Sequence, residues 1–448
     1  MRPVSQERIE VLNQSEIVSD GEYVLYWMIA NRRIHFNPAL QRAVELSQEL
    51  GKPLLVFEGI STRHEYASDR IVTFMVQGMI ENIRDFESRQ IRYIPWVSTP
   101  LQTGVGLLER LALRACAVIT DSFPTYHPRT IVERVKEKLN LRFEAVDGNG
   151  ILPMSSGQKA YPTAHAFRRH VHDTFADYWN QLPEEMPIPS DHSLWIEDEL
   201  FQSIIESSKI ELTPFEWMWR VTQGGSIGTM ALSALDIDHE VTAPQSIQGG
   251  RTNAMLRLNP FLNDGLDRYH LDRNSFVKPA VSGLSPWFHF GHLSTIEVVH
   301  RILEREGWNP TMIDSSRRGS RSGWWGLSEP IEAFLDQIVT WRELGFNFAH
   351  FRKDHTSITS IPASLNFLDV PPVESISQPI SDNDLPRVTI PDFSHTLSRA
   401  RRVVILRRRC IRLEVFVTSC FNRLLKKLLD LSEAFQYWSH MQIEATLG

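Results

Sequence analysis

The stretch "YVLYWMIANRRIHFNPALQRAVELSQELGKPLLVFEGI", Tyr23–Ile60, decides the fold expected for the first third of the chain. Two short apolar runs, 23–28 and 53–60, flank a segment that opens with Asn37 and Pro38. Asn is a favoured helix N-cap and Pro a favoured first helical residue, so this segment predicts a helix. Apolar strands separated by a helix are typical of a parallel sheet that is covered on both faces.

The same alternation continues to about residue 150, which predicts an α/β domain with a Rossmann-like parallel sheet over residues 20–150. No GxGxxG or Walker loop follows the first strand, so the sheet alone does not indicate a nucleotide cofactor. The predicted strands are 23–28, 53–60, 91–97, 116–121 and 141–147, and the predicted helices are 38–50, 69–88, 105–114 and 128–139.

The strand pattern ends after this domain. Residues 151–195 read as a linker with helices, and "LPEEMPIPSDH" (182–192) is its most irregular part. From 196 to 362 nearly every segment has a helical pattern, which predicts a second, all-α domain. The tail, 363–448, follows neither pattern.

Composition narrows the class of protein. A chain of 448 residues is long enough for two or three domains. Its net charge of -7 argues against coating nucleic acid by bulk charge, although a local basic groove is compatible with it. Three cysteines make no disulfide framework and favour a reduced, cytoplasmic setting. No stretch reaches the ~18 apolar residues of a membrane span, so no membrane association is expected.

The segment "VTWRELGFNFAHFRKD" carries the first candidate site. Glu343 and Asn347 are four residues apart and share a helical face beside Trp341. A carboxylate and an amide can hydrogen-bond the edge of a base while an aromatic ring stacks on it. The alternative is an amphipathic helix with a surface ion pair, and the spacing alone favours that alternative.

The segment "SGLSPWFHFGHLS" (282–294) carries the second candidate. Its histidines, His289 and His292, have no third ligand at usable spacing, so no metal is expected. Ser285 before Pro286 reads as an N-cap and first helical residue, and the free amides of a helix start favour a phosphate. A capped helix without a ligand is the alternative. The charged stretch "LDRYHLDRN" (266–274) is either a helix end or a further source of phosphate donors.

Taken in order, these segments resemble the class II DNA photolyases, from about Tyr23 to about Pro362. The blocks are the opening stretch, "NPFLNDGLDRYHLDRN", "SGLSPWFHFGHLS" and "AFLDQIVTWRELGFNFAHF". The resemblance implies an antenna-type α/β domain followed by a helical FAD domain. It implies that light-excited, reduced FAD donates an electron to a cyclobutane pyrimidine dimer, which is flipped out of the DNA. It also implies a monomer and allows a second antenna chromophore of unknown identity.

The resemblance also implies roles for individual residues. It makes Glu343 catalytic, as the glutamate that hydrogen-bonds the dimer, and it places Trp341 and Asn347 in the substrate pocket. Tyr269 matches the family tyrosine near the FAD phosphates. The residues that match the loop cradling those phosphates are Ser282, Gly283, Leu284 and Ser285.

The family pattern is lost after residue 362, and the flavin-facing motifs expected beyond it are absent from the sequence. We favour a frameshift near residue 363 over a basic DNA-binding or membrane-surface tail, because the motifs vanish together. An incomplete flavin pocket and exposed apolar surface are then expected. The alternatives to repair are a cryptochrome-like photoreceptor that does not repair, and a catalytically inactive remnant that binds damaged DNA.

Overall fold

The computed structural model describes residues 2–64, 66–190, 192–275, 278–357 and 360. Residues up to Phe351 pack into one compact unit. The domain boundaries expected at 150 and 195 therefore stay predictions. The tail from 363 onward, with its proposed frameshift, lies outside the described residues.

A six-stranded sheet forms the first part of the chain, in the order β1-β6-β5-β2-β3-β4. All neighbours are parallel except β1, which runs antiparallel to β6. The Rossmann-like parallel sheet is confirmed, and each of the five predicted strands is present. The strands are β1 Ile9–Val11, β2 Tyr23–Met28, β3 Leu54–Ile60, β4 Arg92–Val97, β5 Ala115–Ser122 and β6 Arg142–Asp147.

Helices cover both faces of the sheet, as its apolar strands require. All six residues of β2 are buried, and two separate clusters of apolar side chains lie on its opposite faces. Asn37 caps the first helix as predicted, since its Oδ1 accepts a hydrogen bond from the Leu40 amide at 3.0 Å. These helices are α1 Pro38–Leu50, α2 Asp69–Glu87, α3 Leu107–Ala112 and α4 Tyr126–Val135.

The rest of the described chain is helical, as expected. Two π-helical turns, Phe261–Gly265 and Asp336–Trp341, interrupt otherwise continuous helices. The helices are α5 Ala164–Trp179, α6 Asp198–Ser208, α7 Phe215–Thr222, α8 Gly225–Leu232, α9 Arg251–Pro260, α10 Leu266–Asp272, α11 Ser285–His289, α12 Thr295–Arg305, α13 Glu329–Leu335 and α14 Arg342–Phe351.

The crevice at the carboxyl ends of β2 and β5, where such sheets usually bind ligands, is closed. The buried carboxylate of Asp121 accepts hydrogen bonds from the amides of residues 29–31 at 2.7–2.9 Å. Gly291 packs against the same loop, and a Cβ at that position would lie 1.6 Å from the Ala30 carbonyl oxygen. This geometry agrees with the missing nucleotide fingerprint.

Candidate functional site

Glu343 lies near the start of α14 and is 5% exposed. Its Oε1 accepts from the Ile151 amide at 2.7 Å and its Oε2 from the Leu152 amide at 3.1 Å. Burial raises the pKa of this carboxyl to about 7, against the lowering effect of the two amides and of Arg342. Glu343 therefore ties the loop after β6 to the helical part of the chain and titrates near neutral pH.

Asn347, one turn further along α14, binds the backbone that follows this loop, at residues 159–161. Its Oδ1 accepts from the Tyr161 amide and its Nδ2 donates to the Lys159 carbonyl, both at 3.0 Å. The side chain is 2% exposed. Glu343 and Asn347 share a face as predicted, but that face contacts the backbone of residues 150–161.

Trp341 is buried behind this face. Its indole Nε1 donates to Asp336 Oδ2 at 3.2 Å. Asp336 in turn forms a bidentate ion pair with Arg168 of α5, at 2.7 and 3.1 Å. The predicted substrate residue Trp341 therefore belongs to a buried network that joins α5 to the π-helical turn.

A small cleft separates α14 from the 149–157 loop, and Glu343 and Asn347 line it beside Met154, Phe167 and Phe346. The space inside it is about 10 Å³. That is about the room that one water molecule needs, so the cleft is closed to a cofactor or a base in this conformation.

Arg8 is a functional-site neighbour that the sequence did not reveal. It is 3% exposed, and its Nη1 donates to the carbonyls of Asp147 and Gly150 at 3.1 Å each. Arg8 and Glu343 thus hold the 147–152 loop from two sides. No local motif could have shown this, because the partners are backbone groups more than a hundred residues away.

The helix that follows the predicted phosphate turn has a different N-cap residue from the one expected. The helix α11 begins at Ser285 itself, and Leu284 occupies the N-cap, so the prediction of Ser285 as N-cap was wrong by one residue. Leu284 is fully buried and could not be replaced by a polar cap without loss of packing. With five residues, α11 is also too short to carry a helix dipole of much strength.

Arg257 of α9 lies over this turn. Its Nε donates to the Ser282 carbonyl at 2.9 Å. Gly283 has a φ of 65°, and a Cβ there would lie 2.6 Å from the Arg257 guanidinium. The missing Cβ at Gly283 makes room for the Arg257 guanidinium, which stands exposed beside the turn. An exposed guanidinium next to serine side chains fits a phosphate group, so the residues present fit the phosphate end of FAD.

Tyr269 of α10 is 9% exposed. Its ring packs edge-on against Phe261 and Phe334, with centroid separations of 6.1 and 5.1 Å. The chain continues from the Arg257 helix through a π-helical turn to α10. Arg257 and Tyr269 therefore belong to one helical run, and the predicted Ser282–Ser285 turn follows after it.

His292 of the 282–294 segment lies in the interior of the protein. His292 is 1% exposed, its Nδ1 accepts from the Gly250 amide at 3.0 Å, and its ring stacks on Phe74. Burial lowers its pKa to about 3, so the imidazole is neutral. In the part of the chain that the structure describes, no three His, Cys, Asp or Glu side chains group as metal ligands would. Nor is any helix there long and apolar enough to cross a membrane.

Known proteins resemble this chain in sequence. Residues 24–189 match the DNA photolyase family model. A deoxyribodipyrimidine photo-lyase of Methanothermobacter thermautotrophicus is 24% identical over 367 residues, which cover 80% of this chain and 68% of that protein. The deoxyribodipyrimidine photo-lyase of Potorous tridactylus is 22% identical, over 79% of this chain and 58% of that protein. The one of Arabidopsis thaliana is 23% identical, over 75% of this chain and 60% of that protein.

These matches make the chain similar to the DNA photolyases, over residues 24–189 in the family model and over 75–80% of the chain in the three relatives. Its match spans 58–68% of the length of those three relatives, all named deoxyribodipyrimidine photo-lyases. A solved structure, a bacterial class III photolyase from Agrobacterium tumefaciens, has a TM-score of 0.48 at 17% identity, covering 75% of this chain and 60% of that one.

Proposed function

We propose that this chain is a class II-type deoxyribodipyrimidine photolyase that repairs cyclobutane pyrimidine dimers in DNA with light and FAD. The alignment of 75–80% of the chain with relatives of that name carries the proposal. The class II assignment rests on the "LSPWFHFG" and "WRELGFNF" blocks. Monomeric state, cytoplasmic location and an antenna chromophore of unknown identity belong to the same proposal.

In this proposal the phosphates of FAD lie on the Ser282–Ser285 turn. Arg257 supplies the positive charge, and Gly283 lets the guanidinium lie against the turn because no Cβ intervenes. Tyr269 closes the same end of the cofactor from α10. When bound and excited by light, FAD supplies the electron that opens the dimer; the protein's part is to hold and orient the reactants.

The flipped dimer would approach the mouth of the cleft beside α14. Each carboxyl oxygen of Glu343 accepts one amide hydrogen bond, which leaves lone pairs for a second partner. With a pKa of about 7, the carboxyl is partly protonated at neutral pH and can donate as well as accept. Glu343 would thus hydrogen-bond a pyrimidine edge, while Asn347 and Trp341 keep α14 and the opposing loop in place.

A second candidate function is binding of damaged DNA without catalysis. The observation that favours it is the cleft itself: its polar side chains already hydrogen-bond the backbone of residues 151–161, and its volume is small. A chain of this kind would bind dimer-containing DNA but retain no flavin.

The visible absorption spectrum of the purified full-length chain, together with DNA binding, separates these candidates. We expect a flavin spectrum and preferential binding of dimer-containing DNA. Binding of damaged DNA without flavin would support the second candidate instead. Flavin without any preference for damaged DNA would contradict both and favour a photoreceptor.

A further inference from the structure

The loop "DSSRRGSRSG" (314–323) exposes three arginines at one surface: Arg317, Arg318 and Arg321. A fourth exposed arginine, Arg169 of α5, lies against the same loop. A Cβ at Gly319, where φ is 85°, would lie 2.9 Å from Arg169 Cγ. We call these four side chains the arginine surface.

Buried contacts fix the backbone of this loop. The Gly319 amide donates to His172 Nδ1 at 3.0 Å, and the Asp314 amide donates to the Trp324 carbonyl at 3.0 Å. The Trp324 ring is 2% exposed and stacks on His172 with centroids 3.9 Å apart. The guanidinium groups therefore project from a preorganised backbone, which lowers the entropic cost of binding a ligand.

The arginine surface carries an excess of positive charge on a chain whose net charge is -7. Asp173 neutralises Arg318 through a bidentate ion pair. Asp173 also attracts Arg169, and Asp314 attracts Arg317, so two carboxylates face four guanidinium groups at this surface. The Asp314 carboxylate accepts hydrogen bonds from the Ser316 amide and hydroxyl, at 2.9 and 2.6 Å.

The composition of the loop indicates which anion it fits. Guanidinium groups and serine hydroxyls are the usual partners of backbone phosphates in nucleic acids, and Ser315 and Ser322 stand exposed on either side of the three loop arginines. An anionic membrane would also need apolar side chains for insertion. Across the described residues of 282–357, no large apolar side chain is exposed.

We propose that the arginine surface binds the phosphodiester backbone of duplex DNA, independently of sequence and of damage. The choice of DNA as the nucleic acid rests on the proposed function. The surface would hold the duplex while a damaged base is flipped elsewhere on the protein.

The test is the salt dependence of binding to a short, undamaged, fluorescently labelled duplex. The full-length chain is compared with the double variant Arg169→Gln/Arg317→Gln. The matched control is Arg84→Gln/Arg134→Gln, which removes the same charge from exposed positions on α2 and α4. Thermal unfolding of each variant checks that the fold is intact. Because the duplex carries no dimer, the assay is independent of flavin content and repair.

Each phosphate contact contributes about 0.9 to the slope of log affinity against log salt, so the double variant should lower the slope by about 1.8 between roughly 50 and 200 mM salt. The control should keep the slope of the unmodified chain. An unchanged slope in the double variant, or an equal loss in the control, would overturn the proposal. An absence of DNA binding by the unmodified chain would also overturn it. So would a double variant that loses binding to phosphatidylserine vesicles while its binding to DNA is unchanged.

Discussion

Glu343 makes the stability of this protein depend on pH in an unusual direction. Its pKa is raised from 4.5 to about 7 by burial, so the folded state holds a proton that the unfolded chain releases between those values. The stabilisation from this group is full below pH 4.5 and is lost as the pH rises to about 7. The loss amounts to about 3 kcal/mol for a shift of this size.

Glu343→Gln removes that titration. We expect the difference in unfolding free energy between the unmodified chain and the variant to fall by about 3 kcal/mol from acid to neutral pH. Denaturant unfolding at several pH values measures it. A difference that stays constant with pH would show that the Glu343 carboxyl does not titrate in this range.

The contacts of Asn347 predict how its substitution changes the stability of the protein. Asn347→Ala leaves the part-buried Tyr161 amide and Lys159 carbonyl without their side-chain partner, which should cost about 1–3 kcal/mol of unfolding free energy. Asn180→Ala is a matched control, because Asn180 is exposed and its side-chain amide donates to the Ala176 carbonyl in the last turn of α5. Equal denaturation midpoints for the two variants would contradict the role given to Asn347.

Residue-level prediction from sequence succeeded where the signal was periodic. The shared face of Glu343 and Asn347 follows from their spacing of four, and the structure shows it. What they touch could not be predicted, because backbone amides 186–192 residues away leave no mark in a local pattern. The cap at Leu284 was missed because packing, rather than a polar side chain, decides where α11 begins.

At the scale of elements, the turn before α12 docks the helical part onto the sheet. Gly291 has a φ of 76°, and Arg33 Nη1 donates to its carbonyl at 2.9 Å. A Cβ there would lie 1.6 Å from the Ala30 carbonyl oxygen. Only glycine permits this approach between the turn and the end of β2.

Gly291→Ala should therefore lower the free energy of unfolding by more than about 4 kcal/mol, or prevent folding. The reason is that a backbone clash adds to the strain of a positive φ. Gly307→Ala is its control. Gly307 has a φ of 60° but nothing within 4 Å of a built Cβ, so only about 1 kcal/mol of conformational strain is expected. Soluble yield and thermal midpoints compare them; similar losses would argue against tight docking at Gly291.

The elements themselves were largely predictable. Five parallel strands followed from continuous apolar runs between helical segments, because strands buried on both faces need no polar alternation. β1 was missed, since three residues with one partly buried side chain give no pattern. The π-helical turns were missed as well, because their sequences are indistinguishable from ordinary helix.

Across the whole molecule, exposed large apolar side chains are most frequent in the helical part, between residues 212 and 281. Among the described residues of that range they are Leu212, Phe215, Trp219, Ile227, Met230, Ile247, Leu256, Leu271 and Val281. Surfaces of this kind are associated with interaction or aggregation.

Repair of pyrimidine dimers by light, the function that we propose, can be measured directly. Cyclobutane dimers in ultraviolet-treated DNA are counted after incubation with the purified, chemically reduced full-length chain, under blue light and in darkness. We expect loss of dimers in the light and none in the dark. Equal numbers of dimers in both samples, from a chain that carries bound flavin, would contradict it.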